Sequence, residues 1–145
     1  MKKRIVAMVC AFLLIMNMSG VAMASVEPRA SYYFSFTEVW ATPLDDGKVL
    51  VEFDINATHI MEEVGATDVY IYEQQSNGAY KNVYTFTSDN YYSSMIDTNS
   101  AFGNGEVTYQ GIPGRKYFAT VAVYAKDSEG SETRYYDTNI VTAKT

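Results

Sequence analysis

Residues 116–126 read Lys-Tyr-Phe-Ala-Thr-Val-Ala-Val-Tyr-Ala-Lys, and this stretch decides the fold. Tyr117, Ala119, Val121, Val123 and Ala125 recur at every second position, the period of a β-strand with one buried face, and β-branched and aromatic residues dominate the run. Upstream, Glu106 to Gln110 predicts another strand, with a turn over Gly111 to Gly114. Downstream, Asp127 to Ser131 predicts a turn into a final strand from Glu132 to Val141.

The same period extends toward the N-terminus. Val49, Val51, Phe53 and Ile55 share one face of a strand, with Glu52 and Asp54 opposite. Tyr32, Phe34, Phe36 and Trp40 are expected on one face of the first strand, and Asp45-Asp46-Gly47 supplies the turn between the two. Alternation lapses from Thr58 to Gly65, predicting a loop or a helical turn, and resumes at Thr67 to Gln74. Ser76-Asn77-Gly78 predicts a hairpin turn into Tyr80 to Thr87, because Asn-Gly readily adopts positive φ. Ser88 to Asn104 is polar and reads as a long irregular loop. Seven strands at this spacing predict an all-β, two-sheet antiparallel sandwich over residues 31–143, with a closed barrel as the other possible architecture.

The first 24 residues read differently. Lys2, Lys3 and Arg4 precede an apolar run from Ile5 to Met16, and Ala22-Met23-Ala24 offers small residues for cleavage, the pattern of a secretory signal peptide. The apolar run is shorter than the roughly 20 residues that span a bilayer. Cleavage near Ala24 predicts a secreted, extracellular protein with a short linker at 25–30 and no membrane anchor. Cys10, the one cysteine, leaves with the leader, so no disulfide or thiolate site is expected. Of 11 basic and 17 acidic residues the leader carries three basic ones, which leaves eight against 17 and a net charge of −9. An acidic surface argues against nucleic acid, whose phosphates need a basic stripe.

Pro113-Gly114-Arg115-Lys116-Tyr117, followed by alternating Val121 and Val123, resembles the corner entering strand F of fibronectin type III domains. That resemblance implies an immunoglobulin/fibronectin type III-like sandwich in which Tyr117 is a structural tyrosine, its hydroxyl bonded to backbone a few residues upstream. The tryptophan expected on strand B of that family is replaced here by Phe53. A second resemblance covers most of the mature chain. Pro28-Arg29-Ala30-Ser31, Glu63-Val64-Gly65-Ala66-Thr67, Val107-Thr108-Tyr109-Gln110-Gly111 and Thr138 to Ala143 are similar to an uncharacterised family of small secreted proteins from Gram-positive bacteria. It implies secretion and a bacterial source, and lends no activity to any residue.

Chemistry-bearing motifs are scarce. The chain has one histidine and no Gly-x-Ser-x-Gly, phosphate-cradling loop or histidine-rich motif, so no catalytic residue, cofactor or metal is assigned and the chain is not expected to be an enzyme. His59 reads as an ordinary loop histidine. Asp89, Asn90, Asp97 and Asn99 could converge on calcium only if the loop from Ser88 folds around an ion, and their spacing is not that of an EF-hand.

The unusual feature is tyrosine, 13 residues including the pairs Tyr32-Tyr33, Tyr91-Tyr92 and Tyr135-Tyr136. Neighbours in a strand face opposite ways, so each pair within a strand puts one ring outside the core. Exposed rings among Tyr33, Tyr70, Tyr72 and Tyr136 would either pack across a sheet face or anchor a partner. Tyr91, Tyr92 and Trp40 are the candidate binding residues, although Trp40 shares phase with Phe34 and Phe36 and is expected to lie in the core. A secreted recognition module for a protein surface is the preferred reading. A carbohydrate-binding module using the same rings, and a structural envelope protein, are the alternatives.

Overall fold

The computed structural model describes residues 31–145. The expected signal peptide 1–24, with Cys10, and the linker 25–30 lie outside the described residues. Within them the chain is all-β, with strands β1 (Phe34–Pro43), β2 (Lys48–Gln74), β3 (Tyr80–Thr87), β4 (Ile96–Gln110), β5 (Lys116–Lys126), β6 (Ser131–Asp137) and β7 (Val141–Thr142). One short helix, α1 (Ser88–Met95), separates β3 from β4. The seven strands form a single antiparallel sheet curled into a half-barrel, where two separate sheets were expected.

β2 is the reason the sheet is continuous. Its 27 residues carry β1 and then β5 along one flank, and β4 and then β3 along the other. Thr58 to Gly65, expected as a loop, is part of this strand. Its alternation lapses because the pairing with β4 jumps between Asn56 and Met61, so Thr58, His59 and Ile60 all face solvent through a bulge. Bulges of this kind bend a strand and increase its twist, which turns the second half of β2 away from the first.

The crossing is close. Val64, Gly65 and Ala66 are buried in succession because both faces of the strand are covered there. A Cβ on Gly65 would overlap the Met95 carbonyl at the end of α1. α1 and the first residues of β4 occupy the segment expected to be an irregular loop. Tyr91 breaks the helical geometry at its centre (φ −129°, ψ 30°), leaving two single turns that the polar sequence conceals.

The first strand also departs from the expected phase. A register shift between Phe34 and Phe36 places Phe34 in the core and sends Phe36, Glu38 and Trp40 outward, while Val39 and Ala41 face inward. Trp40 is therefore a half-buried residue on the outer face and does not belong to the core. The core is built from Val49, Val51, Phe53 and Ile55 of one half of β2, Val69 and Ile71 of the other, and the inward residues of β5. The expected last strand is split into β6 and β7 at Thr138 to Ile140. This break lets Asn139 receive the Ala41 amide on Oδ1 (2.8 Å) and donate Nδ2 to the Ala41 carbonyl (3.0 Å), fastening β1 to the far end of the sheet.

Candidate functional site

β1, the first half of β2 and β4 pair side by side, so their outward residues form cross-strand rows. Phe36 lies opposite Asn56, which lies opposite Phe102. Two residues along, Glu38, Asp54 and Asn104 form the next row, and Trp40, Glu52 and Glu106 the one after. Successive rows are separated by about 6.7 Å, twice the rise of an extended residue. At one end Phe36 and Phe102 are 49% and 60% exposed, an unusual state for two phenylalanines of one face. At the other, Trp40 borders a cleft of about 420 Å³ floored by Phe53 and Gly105 and walled by Glu52, Asp54, Asn104 and Glu106.

The electrostatics of this face are one-sided. Glu38, Glu52, Asp54 and Glu106 form no salt bridge among the described residues, whose ion pairs are His59–Asp127, Arg115–Glu73, Lys126–Glu62 and Arg134–Glu132. Like charges directly opposite each other destabilise a sheet, and here Glu38 faces Asp54 and Glu52 faces Glu106. One carboxylate has a neutral partner: Trp40 Nε1 donates to Glu52 Oε2 at 2.7 Å, which fixes the indole beside the cleft. The face thus offers an aromatic surface, four carboxylates of which Glu52 is held by the indole, and no basic side chain in the three rows. Lys48 stands two rows beyond.

The three candidate binding residues are not brought together. Tyr91 sits on α1 with its ring edge-on to Phe86, at 5.4 Å between centroids, and lines a groove of about 270 Å³ with Tyr84, Phe86, Thr108 and Tyr109. Tyr92, one residue on, has its hydroxyl 3.3 Å from Glu63 Oε1. Of the rings proposed as exposed, Tyr33, Tyr70, Tyr72 and Tyr136 are all half-buried. Tyr72 stacks on Phe118 (4.9 Å, 7° between planes), and Tyr80 meets Phe118 edge-on. These rings pack on one another and leave no set of separate coplanar platforms.

Tyr117, Pro113 and Gly114 form the corner before β5. Tyr117 is fully buried; its hydroxyl accepts the Ile112 amide (2.9 Å) and donates to Glu73 Oε2 (2.7 Å), while Arg115 binds the other carboxylate oxygen. Burial pushes the Tyr117 phenol up to about 12, with the Glu73 carboxylate adding to the rise. The Tyr117 hydroxyl, and after it Arg115, hold the Glu73 carboxyl below its usual range against the opposing effect of burial. The Tyr117 hydroxyl and both Glu73 carboxylate oxygens are each committed to a neighbour, which makes the cluster a brace.

His59 lies on the β2 bulge and not in a loop. Its Nε2 is 2.8 Å from Asp127 Oδ2, and its Nδ1 is 3.0 Å from the Thr58 hydroxyl. That hydroxyl donates to the Tyr32 carbonyl at 2.5 Å, so its proton is held by backbone and the trio does not present an activated nucleophile. It ties the entry of β1, the bulge and the β5–β6 turn together. The His59 contact, followed by the amides of Glu129 and Gly130, keeps the Asp127 carboxyl below its ordinary value. Of the residues weighed for calcium, Asp97 accepts the Asn104 amide (3.1 Å) within β4, and the described residues contain no group of three or more histidine, cysteine or acidic side chains placed to hold a metal.

Sequence reading missed Phe36, which alternation across an unseen bulge assigned to the core, and Phe102, hidden in a segment whose glycines obscure its period. The available signal was Glu52 and Asp54 opposite a core face, with further acids and aromatics in the neighbouring strands. No family model matches the chain, and no curated protein matches it.

Proposed function

We propose that this protein is a secreted, non-catalytic recognition module that binds a protein surface through the outer face of β1, β2 and β4. The observation that carries the reading is the exposed pair Phe36 and Phe102, set in one row and two rows from the Trp40 cleft. Large aromatic rings at the centre of a contact, rimmed by polar groups, are what protein interfaces use as anchors. The self-packed state of Tyr72, Tyr80 and Phe118 weighs against a carbohydrate platform built from those rings.

The reading includes a fibronectin type III-like sandwich as the scaffold. Its support is the pairing set: counted as two consecutive strands, β2 joins β1 and β4 in one group and β3, β5 and β6 in the other. In such a domain the first set would correspond to strands A, B and E, and the second, with β3 added at its edge, to C, F and G, with Tyr117 at the corner of F. Secretion is supported by the leader-like sequence of residues 1–24 and by the resemblance to small secreted proteins of Gram-positive bacteria.

The test is depletion of the purified protein from solution by insoluble polysaccharides, peptidoglycan, and bacterial cells with or without protease treatment. Retention by untreated cells, lost on proteolysis and in the Phe36→Ser/Phe102→Ser variant, is expected. Retention by a purified glycan, unaffected by that variant, would refute the reading.

A further inference from the structure

The partner's chemistry can be read from the same face. We infer that the β1–β2–β4 surface takes an extended, cationic protein segment carrying an arginine and an apolar side chain four residues apart. This deepens the recognition reading above and rests on it.

Charge complementarity chooses the class of partner. Four carboxylates stand in two adjacent rows as two directly opposed pairs, Glu38 with Asp54 and Glu52 with Glu106, with no cation between them. Such an arrangement costs the free sheet stability and is relieved when a positive group is placed over it. Anionic and neutral partners gain nothing from it.

The aromatic residues choose the cation. In the cleft the Trp40 ring stands beside Glu52, with Asp54 and Glu106 on the other walls. A guanidinium is planar and weakly hydrated; it stacks on an indole while donating two parallel N–H bonds to a carboxylate, a fork that an ammonium cannot present. An arginine therefore satisfies both features of the cleft, and lysine only the charge.

Spacing supplies the rest of the motif. From Trp40 to Phe36 is four residues along β1, about 13 Å in extended backbone. A bound segment in the same conformation covers that distance with four residues of its own. With its arginine over the Trp40 cleft, the side chain four positions away arrives between Phe36 and Phe102, where an aromatic or aliphatic group is buried.

Trp40 is the one tryptophan of the chain, so its emission reports the cleft directly. The probe is a synthetic peptide of glycine, serine and threonine with an arginine and a phenylalanine four positions apart. Comparison peptides carry glutamate or lysine for the arginine, or bring the two residues to adjacent positions. Saturable change in Trp40 emission is expected with the arginine peptide, weakening about tenfold for each charge-assisted contact removed. Asp54→Asn/Glu106→Gln and Phe36→Ser/Phe102→Ser are each expected to weaken it by at least that factor while remaining folded by circular dichroism. Raised salt is expected to weaken it further.

Equal binding of the glutamate peptide, or undiminished binding by Asp54→Asn/Glu106→Gln, would overturn the proposal. If the arginine peptide fails while retention on protein-bearing cells still depends on Phe36 and Phe102, the cationic partner is refuted and the recognition reading stands. If retention depends on a glycan instead, the recognition reading falls with it.

Discussion

Replacing Tyr117 by Phe removes one oxygen from the most enclosed polar cluster of the domain. That oxygen accepts the Ile112 amide and donates to Glu73, which is itself buried and otherwise held by Arg115. A hydrogen bond to a charged group contributes about 1.5–3 kcal/mol, and a neutral one about 1 kcal/mol, so the variant is expected to lose about 3 kcal/mol. Against a total of about 5–15 kcal/mol this is a large fraction, and for a domain of this size it lowers Tm by about 12 °C. Urea denaturation of wild type and variant with equal m-values measures it. The pH dependence gives a second reading of the same atom. The phenol titrates near 12 in the folded state and 10 when unfolded, so its contribution is complete below pH 10 and is lost as pH rises toward 12. Tyr117→Phe removes that alkaline loss. A change below about 1 kcal/mol, with the alkaline limb unaltered, would show that the cluster does not brace the fold.

Gly65→Ala drives a methyl into the Met95 carbonyl and is expected to cost more than about 3 kcal/mol or to prevent folding, read by thermal denaturation. Glu106→Gln relieves the repulsion from Glu52 and is expected to raise stability by about 0.2–1 kcal/mol at low salt, less at high salt; destabilisation would contradict the account of that face. In His59→Ala the Asp127 carboxyl loses the main cause of its depression. Its NMR titration is expected to move up toward 3.8, and an unchanged midpoint would refute the link. At the acid end, Glu73 favours folding above its unfolded value of 4.5, and this contribution is lost as pH falls through the lower folded value. Acid unfolding is expected to lose part of its steepness in Glu73→Gln.

The legible parts of the fold were those governed by alternation over one uninterrupted face. β5 reads directly from Tyr117 to Ala125, and the Asn77-Gly78 turn reads from its chemistry. Bulges erased the rest. A shift at one residue after Phe34 reverses the faces of Phe36 and Trp40, because a period of two has no memory across an inserted position. The jump from Asn56 to Met61 likewise makes three consecutive exposed residues look like a loop, and joins two expected strands into one. The candidate face suffered twice, since β1 was phased inward and β4 was hidden behind glycines that admit the close approach of Ser94 and Val64.

The acids of that face bear on why it exists. Glu38, Asp54, Glu52 and Glu106 keep the outer surface polar, but glutamine or threonine would do so without repulsion, and threonine suits a strand better. Solubility does not require them here either, because residues 25–145, at −9, would still carry −5 without these four carboxylates, within the range that keeps small domains apart. Exposed Phe36 and Phe102 add a second cost, since an apolar pair on a sheet invites unspecific association. Each feature alone is a defect of an isolated domain. Together, at a spacing one extended segment can span, they discriminate: the carboxylates repel acidic surfaces and other copies of this chain, while the rings reward only a partner that neutralises those charges. Glu106→Gln separates the two effects, because the same substitution is expected to stabilise the free protein and to weaken its hold on arginine.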